Sequence, residues 1–275
     1  MATVIIPAYN EASVIRRCLD SLLQQRGVEQ IIVACNGCRD NTAEIVRTEY
    51  PQVTCLDIEK PSKVNALNEA EQHVKFWPVV YLDADLEFSE NGIEKVVSGM
   101  HKRGVLLASP TPIMNLSQSS WAVKQYYKIH RQLSYVRQGV IGTGTFVLDK
   151  AGRSRFGRFP DVINDDHYVR CQFQENEIAN IPDSFVTVHA PKDAWSLIKI
   201  LTRSQLGNIE IEENSLGLDK SKPRYAREFL PHLLSKNVLS MLCYIGLVST
   251  AKMRARKQYA SINTYSWEVD SSSRT

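Results

Sequence analysis

Pro78-Val79-Val80-Tyr81-Leu82-Asp83-Ala84-Asp85 sets a short apolar run directly ahead of two carboxylates spaced i and i+2. A run of that length, bounded by proline and by acids, reads as a fully buried strand over residues 78–82. The neighbouring segments extend the reading in both directions. Upstream lie a helix over 63–76, a strand over 53–58 and a helix over 41–50, opened by Asp40-Asn41-Thr42 and stopped by Pro51. Before those come a strand over 30–34 and a helix over 12–25, in which Val14, Ile15, Cys18, Leu19, Leu22 and Leu23 recur at helical spacing. Gly27 is expected to cap that helix. The first strand covers residues 3–6 and ends at Pro7. Downstream, a helix over 91–101 and a strand over 105–108 continue the alternation. Strands separated by helices predict an α/β fold with a mainly parallel sheet and right-handed crossovers. In such sheets ligands bind beyond the carboxyl ends of the strands.

The second half has a different texture. Residues 119–137 read as an amphipathic helix and the Gly/Thr-rich 140–148 as strand-like. Residues 159–166 form a loop feeding a helix over 167–175, followed by a strand over 184–189 and a helix over 194–213. The apolar stretch 237–251, followed by Lys252, Arg254, Arg256 and Lys257, is short for a membrane span. It reads either as a buried helix or as an interfacial one whose basic flank meets anionic lipid heads.

The chain has 275 residues, 43% hydrophobic and 23% charged, as in a globular protein with a substantial core. That composition excludes a coiled coil, a collagen-like rod and a disordered chain. A net charge of +3 does not mark a nucleic-acid binder. Cys35 and Cys38 form a C-x-x-C without a second pair at zinc-ribbon spacing, so the six cysteines read as thiols of a reducing compartment. No secretory pattern opens the sequence, and the expected location is cytoplasmic, with peripheral contact at the inner membrane face as an option.

Asp83 and Asp85 have the chemistry of a hard-cation site, since magnesium or manganese commonly combines one or two carboxylates with phosphate oxygens. A solvated turn bearing two acids is the plainer alternative. Four strand ends carry patterned loops: Val4-Ile5-Ile6-Pro7-Ala8-Tyr9-Asn10-Glu11, Asn36-Gly37-Cys38-Arg39-Asp40-Asn41-Thr42, Lys63-Val64-Asn65-Ala66-Leu67-Asn68, and Asp83-Ala84-Asp85. In motif, order and spacing these loops together resemble the nucleotide-sugar half of family-2 glycosyltransferases, which have the GT-A fold.

The resemblance implies a doubly wound mixed sheet flanked by helices, with residues 1–215 as the GT-A domain and 216–275 as a C-terminal helical extension. Within that domain, 1–110 would form the donor half and 111–215 the acceptor half. It implies that Pro7, Ala8, Tyr9 and Glu11 border the base and ribose. Asn36 stands where many relatives carry an acid, which leaves the base open. Lys63 would meet the nucleotide or its phosphates, Asp83 the ribose or the metal, and Asp85 the Mn2+ or Mg2+ on the diphosphate. Gly142, Thr143 and Gly144 resemble the acceptor loop, where small residues let a sugar approach the backbone; a tight turn is the alternative. In Asn164-Asp165-Asp166-His167 the second acid, Asp166, corresponds to the general base, with Asp165 as the fallback; Asn and Asp are also ordinary helix caps. His189 reads either as a plain strand-end histidine or as a further metal ligand. Arg203 resembles the downstream arginine placed over the diphosphate, although the usual Q-x-x-R-W form is missing.

The activity so implied is inverting, metal-dependent transfer of a sugar from a nucleoside-diphosphate sugar to an acceptor hydroxyl, in glycan or glycolipid synthesis. Two other classes share the scaffold. A sugar-phosphate nucleotidyltransferase needs a Gly/Arg-rich loop after the first strand, and Pro7-Ala8-Tyr9-Asn10-Glu11 lacks it. A non-catalytic sugar- or partner-binding protein does not require Asp85 and Asp166 to be kept.

Overall fold

The computed structural model describes residues 1–134, 136, 144–216 and 237–260. Taken over those residues, the chain packs as two compact units. The first comprises Met1–Ile113, Val140–Asp161 and Asp165–Val188, and the second Met114–Gly139, Val162–Asn164 and His189–Thr275.

The first unit is built on one eight-stranded sheet. Its strands are β1 (Ala2–Ala8), β2 (Val28–Asn36), β3 (Thr54–Ile58), β4 (Val79–Leu82), β5 (Glu87–Phe88), β6 (Leu107–Asn115), β7 (Thr145–Leu148) and β8 (Ile178–His189). They lie in the order β3-β2-β1-β4-β7-β6-β8-β5. β1 runs parallel to β2 and β4, and β2 parallel to β3. Beyond β4 the pairings β4–β7, β6–β7 and β5–β8 are antiparallel. This is the mixed, doubly wound sheet expected of the GT-A fold.

β1 and β4 are buried along their whole length, as strands covered by helices on both faces must be. The crossover helices are α1 (Ile15–Leu23), α2 (Thr42–Glu49) and α3 (Lys63–Glu71), with α4 (Gly92–Arg103) following β5. Ile15, Cys18, Leu19 and Leu22 of α1 and Ile93, Val96 and Met100 of α4 join the core under the sheet. The chain winds outward from β1 to β3 and then returns to lay β4 on the other side of β1. The order reverses between β1 and β4, and their carboxyl ends therefore flank the crevice where open α/β sheets take ligands.

Several boundaries differ from the sequence reading. α1 ends at Leu23 with Gln24 as its C-cap, so Gly27 (φ +78°) serves the turn into β2 instead. α3 stops at Glu71 rather than Phe76. Two short elements, β5 and a helix at Lys150–Arg153, are too brief for periodicity to show.

The second unit joins α5 (Trp121–His130) to the helices Ala194–Glu213 and Val238–Tyr259. Val123, Tyr126, Ile129, Leu197, Met241, Tyr244 and Leu247 form its core, with the Tyr126 and Tyr244 rings stacked at 5.1 Å. The last helix runs past Ala251 to Tyr259. It is therefore 22 residues, not the shorter segment expected, and is long and apolar enough by length and composition to cross a membrane. A third of its most apolar window (33%) is nevertheless buried within the protein.

Candidate active site

The site begins at the reversal point of the sheet. β4 ends at Leu82, and the Asp83 N–H donates to the Gly144 carbonyl at 2.8 Å, just before β7. Gly144 has φ +69°, and a Cβ there would stand 2.9 Å from Asp83 Oδ2 and 3.0 Å from Leu86 Cδ1. Only glycine combines that backbone conformation with so close an approach. The sequence reading gave Gly144 to the acceptor; the structure shows it against the Asp83 carboxylate.

Lys63 opens α3, whose N-cap Ser62 accepts the Asn65 N–H at 3.2 Å. A cation at a helix N-terminus is opposed by the helix dipole, so other groups must hold it. Its ammonium lies 2.9 Å from Asp83 Oδ1 and 2.9 Å from Asp165 Oδ1. Burial works against the lysine charge, but the carboxylates of Asp165, Asp83 and Asp166 outweigh it and push Lys63 above its usual range. Asp165, buried to 4% exposure, is also pushed upward. Burial raises its carboxyl, Lys63 lowers it, and Asp166 and Asp83 raise it again, for a net upward shift. The carboxylates carry the lysine shift, whereas burial leads the Asp165 shift and the neighbouring Asp166 and Asp83 add to it.

Asp165 and Asp166 begin the Asp165–Arg170 helix, where the dipole favours carboxylates. Asp166 Oδ1 accepts the His167 N–H at 2.7 Å. Pro7, Lys63, Asp83, Gly144, Asp165 and Asp166 together line a small pocket open to solvent, with Leu67, Tyr81, Leu82 and Phe146 as its apolar wall.

A second group of sequence candidates forms a stitched pair of loops beside this cavity. Asn36 Nδ2 donates to the Ala8 carbonyl at 2.9 Å. Asn10, at φ +54°, accepts the Arg39 N–H on its side-chain oxygen at 2.7 Å. The Glu11 N–H donates to Thr42 Oγ1 at 2.8 Å, and Asp40 accepts from Ala12 N at 3.1 Å and from Thr42 N at 3.1 Å. The ends of β1 and β2 and the loops that follow them, carrying Ala8, Tyr9, Glu11 and Asn36, are thus held as one edge. Gly37 (φ +67°) fits because a Cβ would stand 2.8 Å from Pro61 Cβ.

Asp85 follows Asp83 on the β4 loop, its carbonyl accepting from Arg17 Nη2 at 3.3 Å. Asp83 and Asp85 supply the oxygen ligands a hard divalent cation takes, and the excess of carboxylates around Lys63 suits added positive charge. Among the described residues, no three His, Cys, Asp or Glu side chains are grouped to hold a metal. His189 lies in the second unit, its Nδ1 3.5 Å from Asn115 Nδ2. Arg203 is on the Ala194–Glu213 helix of the same unit. Gly142 and Thr143 lie outside the described residues.

Two supports escaped the sequence reading. Asn68 clamps the Phe159 backbone from both sides, donating to its carbonyl at 3.0 Å and accepting its N–H at 2.8 Å. Arg153 forks onto Glu71 at 2.5 Å, with the Tyr81 hydroxyl on the same carboxylate and the guanidinium over the Phe156 ring at 4.4 Å. Asn68 stood inside a quoted motif, but nothing local pointed to residue 159.

Comparison with known proteins bears on family and fold. The chondroitin synthase of Pasteurella multocida is 28% identical over 131 residues, covering 46% of this chain and 14% of that protein, so the chain spans a small part of that relative. Glycosyltransferase AglE of Haloferax volcanii is 23% identical over 222 residues, covering 76% of this chain and 73% of AglE. Among solved structures, the mannosyltransferase PcManGT from Pyrobaculum calidifontis, in complex with GDP-Man and Mn2+, superposes with a TM-score of 0.61 at 20% identity. The alignment covers 95% of this chain and 79% of that one, a likeness of fold. The profile described as Glycosyl transferase family 2 matches residues 3–155, more than half of the sequence. The chain belongs to glycosyl transferase family 2.

Proposed function

We propose that the protein is an inverting, metal-dependent glycosyltransferase that moves a sugar from a nucleoside-diphosphate sugar to an acceptor hydroxyl in glycan or glycolipid synthesis. The observation that carries this reading is the cavity at the β1/β4 reversal, where Lys63 bridges Asp83 and Asp165 and Asp166 lines the same wall. The stitched β1 and β2 loops form an edge suited to the base and ribose, through Pro7, Ala8, Tyr9, Glu11 and Asn36. The GDP-Man and Mn2+ bound to PcManGT support a nucleotide-sugar donor and a divalent cation here.

Asp85 and Asp83 would hold Mn2+ or Mg2+, which supplies positive charge against the departing nucleoside diphosphate. The chain's own residues divide the remaining work. Asp165 is committed to Lys63 and shielded from solvent, so it positions the ammonium. Asp166 is half-buried and faces the same space, which suits a base that takes the acceptor hydroxyl proton as that oxygen attacks the anomeric carbon. Phe146 and Tyr81, stacked at 4.6 Å, give the cavity an apolar wall.

The test is turnover of a panel of UDP- and GDP-sugars with manganese, with product configuration read by NMR. Asp166→Asn is expected to lower kcat about 10²–10⁴-fold while donor affinity holds. Full turnover in that variant, or a product with retained configuration, defeats the assignment.

The surface of the Val238–Tyr259 helix supports peripheral membrane contact through 237–257. Leu239, Leu242, Ile245 and Met253 are exposed, and Lys252, Arg256 and Lys257 are exposed at its end. That combination fits the interface of an anionic bilayer.

A further inference from the structure

Three thiols meet beneath the edge formed by the β1 and β2 loops, and the proposed transfer uses none of them. Cys35 lies in β2 and is fully buried, Cys55 lies in β3, and Cys38 follows β2 in the loop. Cys35 belongs to the core under the sheet, and Cys38 and Cys55 pack against that core. All six cysteines of the chain are free thiols. Cys38 Sγ donates to the Ala8 carbonyl at 3.4 Å and accepts the Asn10 N–H at 3.4 Å. Ala8 is the register partner of Cys35 in the sheet, so the Cys38 sulfur sits over the paired strand ends. The intervening turn is already folded: Gly37 has its positive φ, and its N–H donates to the Ile58 carbonyl at 2.7 Å.

The thiols differ in access and acidity. Cys38 is half-buried, whereas Cys35 is sealed. The hydrogen bond from Cys35, opposed by burial and aided by the Asn10 N–H, lowers Cys38 to about 7. Cys38 therefore ionises more readily than Cys35, and the thiolate is the form that reacts with oxidants.

We propose that Cys35 and Cys38 are a hydroperoxide-sensitive dithiol whose closure to a disulfide weakens nucleotide binding. The Cys38 thiolate attacks the terminal peroxide oxygen, the O–O bond breaks, and the alkoxide leaves and takes up a proton as the alcohol. The Cys35 sulfur then attacks the Cys38 sulfenic sulfur. The S–S bond forms, the S–O bond breaks, and hydroxide leaves with the Cys35 proton as water. In total two thiols lose two electrons, and one hydroperoxide becomes an alcohol and water. A disulfide needs its sulfurs about 2.05 Å apart, so Cys38 must leave its two partners on the β1 loop. Ala8 and Asn10 then lose contacts, and Asn36 is enclosed in the new ring. The effect on binding rests on the proposed donor site, whereas bridge formation does not.

The experiment treats the full chain with tert-butyl hydroperoxide and maps its disulfides by peptide mass spectrometry. UDP and GDP binding, with manganese, is titrated before and after treatment. A Cys35–Cys38 bridge is expected in the parent and in Cys55→Ser, absent in Cys38→Ser, and reversed by dithiothreitol. Nucleotide affinity is expected to fall at least several-fold on oxidation and to hold in treated Cys38→Ser, since serine keeps a donor and an acceptor at that position. No bridge, a bridge to Cys55, or an affinity loss that persists in Cys38→Ser overturns the inference. If neither nucleotide binds the reduced protein, the donor reading fails, and the bridge mapping alone decides the dithiol.

Discussion

Lys63 carries one positive charge among Asp83, Asp165 and Asp166. Removing it leaves the buried Asp165 carboxylate facing Asp83 and Asp166 without its cation, a partly solvated break whose cost falls short of the roughly 3–5 kcal/mol of a fully buried pair. Lys63→Met is therefore expected to be destabilised in urea unfolding at neutral pH. The sign with pH follows from both shifts. Lys63 is raised, so its contribution is fully present below its unfolded value and is lost only as pH rises through the folded one. Asp165 is raised too, so its native carboxyl binds a proton more readily than the unfolded one, and its ionisation subtracts stability as pH rises between those two values. As pH falls into that window Asp165 protonates and needs the lysine less. The penalty of Lys63→Met should shrink accordingly, and a penalty that grows on acidification contradicts the arrangement.

At the scale of elements, α3 is fixed at both ends of its buried face. Lys63 reaches the Asp165–Arg170 helix, and Asn68 holds the Phe159 backbone. Asn68→Ala removes both bonds and leaves a buried N–H and C=O unsatisfied, at about 1–3 kcal/mol each. The expected result is a lower unfolding midpoint and faster amide exchange at Phe159, with the exchange of β1 and β2 amides little changed. The elements themselves were largely legible: β1 through β4, α1 through α4 and the loops between them follow from apolar runs, caps and prolines. Asp83, Asp85, Asp165 and Asp166 were legible as acids at element ends. What links them was not, because Lys63–Asp165, Asn68–Phe159 and Arg153–Glu71 join positions far apart in sequence that periodicity does not relate. β5 is only two residues long and left no pattern.

At the scale of the whole molecule, the two units carry different surfaces. The second presents Leu239, Leu242, Ile245 and Met253 beside a basic helix end. The protein is expected to float with vesicles containing phosphatidylglycerol and not with pure phosphatidylcholine. Leu242→Asp should reduce flotation without moving the unfolding midpoint, since that side chain is 56% exposed. Equal flotation on both lipids removes the basic flank from the account.

The Lys63–Asp165 pair has a consequence for how the protein is made. Ribosomes deliver the amino-terminal part first. The parallel strands, Lys63 and Asp83 are all outside the tunnel well before Asp165 is polymerised. During that interval a nascent chain can wind its parallel block, but the ammonium has Asp83 alone and Asn68 has no Phe159 to hold. The sheet is therefore free to form early, whereas charge balance in the cavity waits on residues added later. Competence for the proposed donor is then a late event of biosynthesis, even though most of the residues proposed to meet it are translated first.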